Sequence, residues 1–294
     1  MRAFEYKAPR TIKEAVALLA SANGDARPLA GGTDLIAQMK ENRRTPRLVV
    51  DVKHIPELMR LDYSESRGLR IGAAVPCSAI AEHPIVRARY PMIDQACRLV
   101  GSIQIQNRAS VGGNLCNAAP SADTAPPLLT LKARAVIAGP QGRRNVLLEE
   151  FFASPGKTVL GPGELLVEIV VPTPPARSAG CYLRFIPREE MDIAVAGVGS
   201  LVVLEPRGGK RCHDARIALA AVAPTPLRAR EAEERLRGRV IDARAVEEAG
   251  EMAAAACKPI SDVRGSAEYR RELVKVLTRR TLRACLERLG VPVE

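Results

Sequence analysis

The chain has 294 residues, of which 47% are hydrophobic, so it is long enough to bury one large core or two smaller ones. It contains no run of about 18 apolar residues and begins without the apolar stretch of a secretion signal, so we expect a cytoplasmic protein with no membrane span. The net charge is +11, but aromatic residues make up only 3% and tryptophan is absent, so we expect no nucleic-acid partner.

The first fifty residues predict a small β-α-β-like unit. Thr11 begins a helix through a capping box with Glu14, and Asn23 with Gly24 ends it. The next predicted elements are a short apolar piece at 28–30, a helix-like stretch to about residue 40 and a buried strand at 47–52.

The middle of the chain predicts further strands and one helical region. The predicted elements are a strand at 69–75, a helical region at about 85–100 and strands at 133–138, 145–148 and 165–171. The paired glycines within residues 110–117 favour a tight loop there and not a helix. Three prolines at 172, 174 and 175 predict a domain boundary.

The remaining residues predict strands at 181–186, 193–203 and 216–222, followed mostly by helix. The last helix begins at about Tyr269 and carries apolar residues on one face.

Two glycine pairs are the candidate binding motifs. One lies in residues 30–35, Ala-Gly-Gly-Thr-Asp-Leu, and the other in residues 110–114, Ser-Val-Gly-Gly-Asn. Glycine lets backbone amides approach an anion closely, and successive N–H groups form a concave site for phosphate. Two such segments, with helices beginning just afterwards, would hold a diphosphate from both sides. From the residues alone two interpretations stay open, a phosphate site and a pair of ordinary turns.

Other recognisable chemistry is missing from the sequence. Gly197 and Gly199 lack the third glycine of a dinucleotide fingerprint, and Phe151 occupies the first glycine position of a P-loop pattern. The three histidines and seven cysteines are scattered without metal-ligand or disulfide spacing, so we expect no metal site. No carboxylate pair stands out as an acid/base couple, so we expect no catalytic residue. A protein that holds a redox cofactor fits this pattern, because the cofactor carries the chemistry.

The glycine motifs resemble the two flavin loops of the FAD-binding subunits of the xanthine dehydrogenase and carbon monoxide dehydrogenase family of molybdenum hydroxylases. The second motif continues the likeness through residues 119–124. Later stretches that also resemble the family are 163–169, 182–185, 192–194, 223–228 and 265–271. The likeness covers nearly the whole chain, and several motifs in the right order are more specific than any one of them.

The resemblance implies an α+β fold. Residues 1–175 would form a two-lobed FAD-binding domain of the vanillyl-alcohol-oxidase (PCMH) type, with lobes at about 1–55 and 56–175. Residues 176–294 would form a smaller α+β C-terminal domain, a three-stranded antiparallel sheet plus helices. FAD would lie between the lobes.

The resemblance also implies a set of cofactor-binding residues. The amides of residues 30–34 and 110–114 would hold the diphosphate, Asp123 would bond a polar part of FAD, and Ile193 would lie beside the isoalloxazine ring. Arg184 stands where relatives often carry lysine, and Leu166 would supply a backbone or apolar contact. The full expected set is Leu29, Ala30, Gly31, Gly32, Thr33, Asp34, Leu35, Val100, Ser110, Val111, Gly112, Gly113, Asn114, Asp123, Leu166, Arg184 and Ile193.

The implied function is that of an electron-transfer subunit. FAD in this chain would take electrons from [2Fe-2S] clusters of a small partner subunit and pass them to an external acceptor such as NAD, a quinone or oxygen. A molybdopterin-binding large subunit would oxidise the substrate, and the assembly would be a dimer of heterotrimers. The molybdenum cofactor and the iron–sulfur clusters are expected only in those partners.

Two departures and two alternatives accompany this hypothesis. Cys116 runs straight into Asn117, without the inserted cysteines of the benzoyl-CoA reductase branch, so we expect no [4Fe–4S] cluster. Thr33 and Asp34 replace the His-Ser usual in the carbon monoxide dehydrogenase branch, which favours an organic substrate.

The alternatives are a stand-alone flavin-dependent oxidase or dehydrogenase of the same fold, and a basic interaction module without a cofactor.

Overall fold

The first lobe is a parallel sheet covered by short helices. The computed structural model of the protein describes residues 1–189 and 191–293, so the last residue of the predicted C-terminal domain lies outside the described residues. The elements of this lobe are β1 (Glu5–Lys7), α1 (Ile12–Ser21), β2 (Ala26–Leu29), α2 (Leu35–Lys40) and β3 (Leu48–Asp51). The sheet order is β1-β3-β2, with parallel pairs. The predicted β-α-β-like unit is present, and β1 is a strand that the sequence pattern did not predict.

Helix α1 begins as its sequence predicts. The Thr11 hydroxyl accepts a hydrogen bond from the Glu14 amide at 3.2 Å. The Glu14 carboxylate accepts from the amide of Arg10 at 3.0 Å and not from that of Thr11, so the return bond of the capping box is displaced by one residue. The apolar face, with Ala15, Val16 and Leu19, is buried against the sheet.

The second lobe is built on a five-stranded antiparallel sheet. Its elements are β4 (Leu61–Ser64), β5 (Gly68–Gly72), α3 (Cys77–Glu82), α4 (Pro84–Arg89), α5 (Pro91–Arg98), α6 (Ile103–Gln106), α7 (Val111–Asn117), α8 (Ala125–Thr130), β6 (Arg134–Gly139), β7 (Gly142–Leu147), β8 (Phe152–Ser154), β9 (Lys157–Thr158) and β10 (Leu165–Val171). The sheet order is β4-β5-β10-β6-β7, and β8 pairs with β9 separately. The helical region predicted at 85–100 is divided, because Pro84 and Pro91 each begin a new helix.

The tight loop predicted at residues 110–117 is wrong, because most of this segment is helix α7. Ser110 is its N-cap, and the Ser110 hydroxyl accepts from the Gly113 amide at 3.0 Å. Gly112 is required for close packing and not for a turn, since a methyl group there would lie 2.4 Å from the carbonyl oxygen of Ala73. The helix ends at Ala118, which has a left-handed φ of 47°.

The C-terminal part contains a second antiparallel sheet and long helices. Its elements are β11 (Ser178–Phe185), β12 (Ala196–Leu204), β13 (Cys212–Ala220), β14 (Leu227–Arg228), α9 (Arg230–Leu236), α10 (Ala243–Ala255) and α11 (Ala267–Arg288). The three predicted strands form the sheet in the order β11-β12-β13, and the two-residue β14 extends its edge. Every residue of β12 is buried, because α11 covers one face of the sheet and the second lobe covers the other.

The chain segment that holds the three prolines links β10 to β11, and the boundary at residue 175 stays a prediction. The two sides of this link share a core. Tyr182, Leu201 and Val203 of the C-terminal sheet pack among the buried residues of the second lobe. Within residues 1–189 and 191–293, no helix is both long enough and apolar enough to cross a membrane.

Candidate functional site

A cavity of about 1090 Å³ lies where the two lobes and the C-terminal sheet meet. The first lobe contributes the segment between β2 and α2. The second lobe contributes α7, the segment that follows it and the loop before β10. The C-terminal part contributes Arg184 of β11 and residues 191–194 of the loop after it. All three parts of the molecule therefore form walls of one site.

The first glycine segment offers a row of free amide groups. Gly32 has a φ of +77°, a conformation that glycine adopts without strain, and the chain then turns into α2. Among the described residues, no acceptor receives a hydrogen bond from the amides of residues 31–34, which all line the cavity. A row of successive unpartnered N–H groups of this kind suits an anion such as phosphate.

The ion pair between Lys53 and Asp51 lies beside the first glycine segment and supports its backbone. The Lys53 ammonium donates to the Ala30 carbonyl at 3.1 Å and to the Asp51 carboxylate at 2.7 Å. The Tyr6 hydroxyl donates to the other Asp51 oxygen at 2.6 Å. Burial acts to raise the pKa of Asp51, but the bonds from Lys53 and Tyr6 outweigh it and hold that pKa below its usual value. A charged Asp51 thus fixes Lys53, and Lys53 fixes the carbonyl that precedes the glycine pair.

The second glycine segment lies next to the first. A methyl group on Gly31 would lie 1.9 Å from the carbonyl oxygen of Arg108, so the first segment is in backbone contact with the residues that immediately precede the second segment. In α7, the amides of Gly113 and Asn114 already donate to the hydroxyl and carbonyl oxygens of Ser110, at 3.0 and 2.9 Å. The second segment therefore offers fewer free amides than the first.

Asp123 joins the second lobe to strand β11 at the cavity wall. Its two carboxylate oxygens accept from the Tyr182 hydroxyl at 2.7 Å and from an Nη of Arg184 at 2.5 Å. Burial, the largest influence, raises the pKa of Asp123 although Arg184 and Tyr182 act the other way. The Nε of Arg184 is buried and has no hydrogen-bond partner among the described residues, so this guanidinium can donate one further bond.

The structure brings the predicted residues together with one exception. All members of the expected cofactor-binding set except Val111 line the cavity. The Val111 side chain is fully buried in the core of the second lobe, so only its backbone is left for the predicted role. The ligand contacts of the whole set stay predictions.

Three cationic residues of the cavity wall were not predicted as site residues, namely Arg27, Arg44 and Lys157. Arg44 donates to Gln38 at 2.7 Å, and Gln38 donates to Asn117 at 3.2 Å, which links α2 to α7. Three acidic lining residues are neutralised by arginines, in the pairs Asp123–Arg184, Glu164–Arg144 and Asp192–Arg188. The fourth acidic lining residue, Asp34, offsets one of the three cations, so a smaller excess of positive charge remains in the cavity, a signal that dispersed arginines do not give in a sequence.

The cavity is suited to binding an elongated anionic ligand. It combines free amides, excess positive charge and apolar walls. Within the described part of the chain, no group of three or more His, Cys, Asp and Glu residues could hold a metal ion.

Comparison with known proteins identifies the family. A family model described as the FAD binding domain in molybdopterin dehydrogenase matches residues 2–174, and one described as the CO dehydrogenase flavoprotein C-terminal domain matches residues 182–285. The chain is 36% identical over 285 residues to the carbon monoxide dehydrogenase medium chain of Hydrogenophaga pseudoflava, covering 97% of this chain and 98% of that one. It is 32% identical to a putative xanthine dehydrogenase FAD-binding subunit of Escherichia coli, covering 97% of each.

A solved structure agrees with these matches. The chain superimposes with a TM-score of 0.93, at 35% identity and 98% coverage of both chains, on carbon monoxide dehydrogenase from Hydrogenophaga pseudoflava in a form that lacks the Mo-pyranopterin moiety of the molybdenum cofactor. The fold, the order of motifs and the relatives therefore agree. This chain belongs to the FAD-binding medium subunits of the carbon monoxide dehydrogenase and xanthine dehydrogenase family of molybdenum hydroxylases.

Proposed function

We propose that this chain holds FAD in the cavity described above and connects the electron supply of a partner subunit to an external acceptor. In this proposal, [2Fe-2S] clusters of a small subunit deliver electrons, and a molybdopterin-binding large subunit generates them by oxidising the substrate. The acceptor would be NAD, a quinone or oxygen, and the assembly a dimer of heterotrimers. The observation that carries the proposal is the row of free amides at residues 31–34 in the cavity wall, beside the Arg108 backbone that leads into the second glycine segment.

The residues present fit the flavin nucleotide. The amides of the first segment and the nearby cations Arg44 and Lys157 suit its diphosphate. Asp123 and the unused Nε–H of Arg184 suit the hydroxyl groups and carbonyl oxygens of its polar middle part. Leu166 and Ile193 supply apolar contacts from opposite parts of the chain.

FAD supplies the redox chemistry when it is bound, and the chain positions it. Met191 and Ile193 line the cavity and are also exposed, so this wall is where the site meets its surroundings. A partner protein or a small acceptor could approach the ligand there.

The substrate of the assembly is not encoded in this cavity. The sequence at Thr33 and Asp34 favours an organic substrate, and this stays a prediction. The relatives include a carbon monoxide dehydrogenase at 36% identity and a xanthine dehydrogenase at 32%, so overall similarity does not choose between them.

The first experiment tests binding. The full chain, purified and stripped of flavin, should take up FAD and show bound-flavin absorbance. Asp123→Ala should weaken this uptake because Arg184 and Tyr182 lose their shared acceptor. Asp214→Ala is the matched control, since Asp214 also pairs with a buried arginine, Arg216, but does not line the cavity. A folded wild-type chain that takes up no FAD would contradict the proposal.

The second experiment tests electron transfer in the assembled complex. Without flavin, substrate should still reduce the iron–sulfur clusters, but the external acceptor should not be reduced until FAD is restored. Acceptor reduction at the same rate without FAD would overturn the proposed role. Turnover of a small substrate by the isolated chain would instead favour a stand-alone flavin enzyme.

A further inference from the structure

The segment at residues 265–271, Gly-Ser-Ala-Glu-Tyr-Arg-Arg, is part of the family resemblance but has no place in the proposed binding site. It forms the start of α11, where Ser266 is the N-cap. Among the described residues, none of this segment lines the cavity. Its contacts nevertheless converge on two walls of that cavity.

One of these walls is the loop between β11 and β12. This loop carries Met191, Asp192, Ile193 and Ala194, all of which line the cavity. At its base the Val195 amide donates to the Phe185 carbonyl at 2.9 Å, which closes the loop. Contacts that hold Phe185 and Val195 in place therefore also hold the cavity wall that contains Ile193.

Arg270 bonds directly to that base. The residue is 3% exposed, and one Nη donates to the Val195 carbonyl at 2.7 Å and to the Ala221 carbonyl at 3.0 Å. Its other Nη donates to the Asp262 carboxylate at 2.7 Å. The planar guanidinium serves these three acceptors at once, which the single ammonium of lysine cannot do in the same geometry.

Ala221 extends the connection to a second wall. Its φ of +65° is unusual for a residue other than glycine, so its backbone is held by its surroundings. The Ala221 amide donates to the Pro120 carbonyl at 2.7 Å. The segment that follows Pro120 contains Ser121, Ala122 and Asp123, which line the cavity.

Tyr269 contacts the same loop base from the side. Its ring packs edge to face against Phe185, with centroids 5.9 Å apart. A methyl group on Gly265 would lie 3.1 Å from the Tyr269 ring and 3.4 Å from Val195, so the turn before α11 is packed closely here. Tyr269 and Arg270 thus hold the two ends of the loop, Phe185 and Val195.

We propose that Arg270 is a positioning residue for the flavin site. Its guanidinium fixes the wall that carries Ile193 and Ala194 relative to the wall that carries Asp123, through the carbonyls of Val195 and Ala221. The inference rests on the proposed function, because the distance between these walls matters only if one ligand contacts both.

The test compares Arg270→Lys with Arg216→Lys in the full chain. Arg216 is the matched control: it is buried, it bonds the carbonyl of Thr130 at 2.9 Å and the carboxylate of Asp214, and it does not line the cavity. Three quantities are measured, namely the FAD dissociation constant, the visible circular dichroism of the bound flavin and the hydrogen exchange of peptides covering residues 185–195.

For Arg270→Lys, we expect about tenfold weaker FAD binding, the size of one lost hydrogen bond to a charged group, together with altered flavin dichroism and faster exchange of the loop. For Arg216→Lys, FAD affinity should stay within about twofold of wild type, with unchanged dichroism, even if thermal stability falls equally. Wild-type values in the Arg270 variant would overturn the proposal. So would the same flavin defect in both variants, because it would reflect general destabilisation.

Two additions keep the test decisive. If Arg270→Lys does not fold, Asp262→Asn weakens the third contact while leaving the arginine in place, and its loop exchange and flavin dichroism are read in the same way. Hydrogen exchange is also measured on flavin-free protein. If the loop of flavin-free Arg270→Lys exchanges faster than that of wild type, the result supports the positioning role of Arg270 even if no FAD binds. A wild-type chain that binds no FAD contradicts only the proposed function.

Discussion

The two glycine pairs look alike in sequence but use glycine for different reasons. In the first segment, Gly31 allows backbone contact with Arg108, and Gly32 adopts a left-handed conformation, which leaves a row of amides free. In the second, Gly112 packs against Ala73, while Gly113 sits in a capped helix with its amide already satisfied. One pair builds an irregular row of free amides, and the other lets helix α7 lie close against Ala73. A glycine pair therefore marks a close approach and does not by itself specify a loop.

The largest effect should come from Gly31→Ala. Its methyl group would lie 1.9 Å from the Arg108 carbonyl oxygen, and backbone atoms on both sides cannot move apart without separating the first segment from residues 108–109. We expect a loss of about 3 kcal/mol in the free energy of unfolding, as for strong overpacking. Urea unfolding of the flavin-free chain measures it. A stable variant would show that Gly31 does not pack closely against the Arg108 backbone.

Gly113→Ala should weaken FAD binding without a matching loss of folding stability. A methyl group there meets only the Ser110 hydroxyl, at 3.0 Å, and the gain in helix propensity offsets this contact, so stability should change by less than about 0.5 kcal/mol. Because Gly113 lines the cavity, FAD binding should weaken about tenfold. Flavin titration beside urea unfolding gives both numbers. Unchanged affinity would remove this face of α7 from the binding site.

Ser110→Ala removes the cap of α7. The Gly113 amide loses its acceptor, and we expect a loss of about 1 kcal/mol in unfolding free energy. Thr11→Ala is the matched control, since it removes the equivalent cap bond from α1, on the exposed surface. Both variants should lose stability in urea unfolding, but only Ser110→Ala should also alter flavin affinity. An equal effect on flavin in both would contradict a local role for the α7 cap.

The smallest effect is expected for Asp51→Asn, which removes the carboxylate that holds Lys53 beside the first glycine segment. Since the pKa of Asp51 is held below its usual value of 3.8, its contribution to stability is present above that pH and is lost as the pH falls through the lowered pKa. The stability difference between wild type and Asp51→Asn should therefore stay constant above about pH 5 and shrink as the pH falls below the usual pKa of 3.8. Tyr6→Phe, which removes one of the two side-chain donors, should show a smaller change of the same sign. A pH-independent difference would exclude the charged pair with Lys53 as the support.

Much of the fold follows from local sequence signals. The Thr11 cap, the buried strands at the ends of each lobe and the amphipathic α11 are set by residues close together in the chain, so their patterns predict them. Five strands of two to four residues were missed because they are too short for an alternating pattern, and β1 is also exposed at every position; the five are β1, β4, β8, β9 and β14. Helix α7 was missed because the glycines suggest a turn, whereas the cap by Ser110 and the packing on Ala73 decide the conformation.

The site was predictable to the extent that it follows family motifs. The glycine segments, Asp123 and Arg184 lie within such motifs, and the structure places them around one cavity. Arg44 belongs to no motif, Lys157 belongs only to the rejected P-loop pattern, and both reach the cavity through the tertiary fold. Arg270 lies within the family-like segment 265–271, but its acceptors Val195 and Ala221 are distant in sequence, so the motif did not indicate these contacts.

The carboxylate of Asp123 accepts its bonds from Tyr182 and Arg184, which lie beyond the proline-rich link. A truncated product that stops at this link would lack both donors and the wall that contains Ile193. Such fragments should stay colourless however well their lobes fold. Flavin uptake would then act as a checkpoint in assembly, because only a polypeptide that extends beyond the link contains Tyr182, Arg184 and the wall with Ile193.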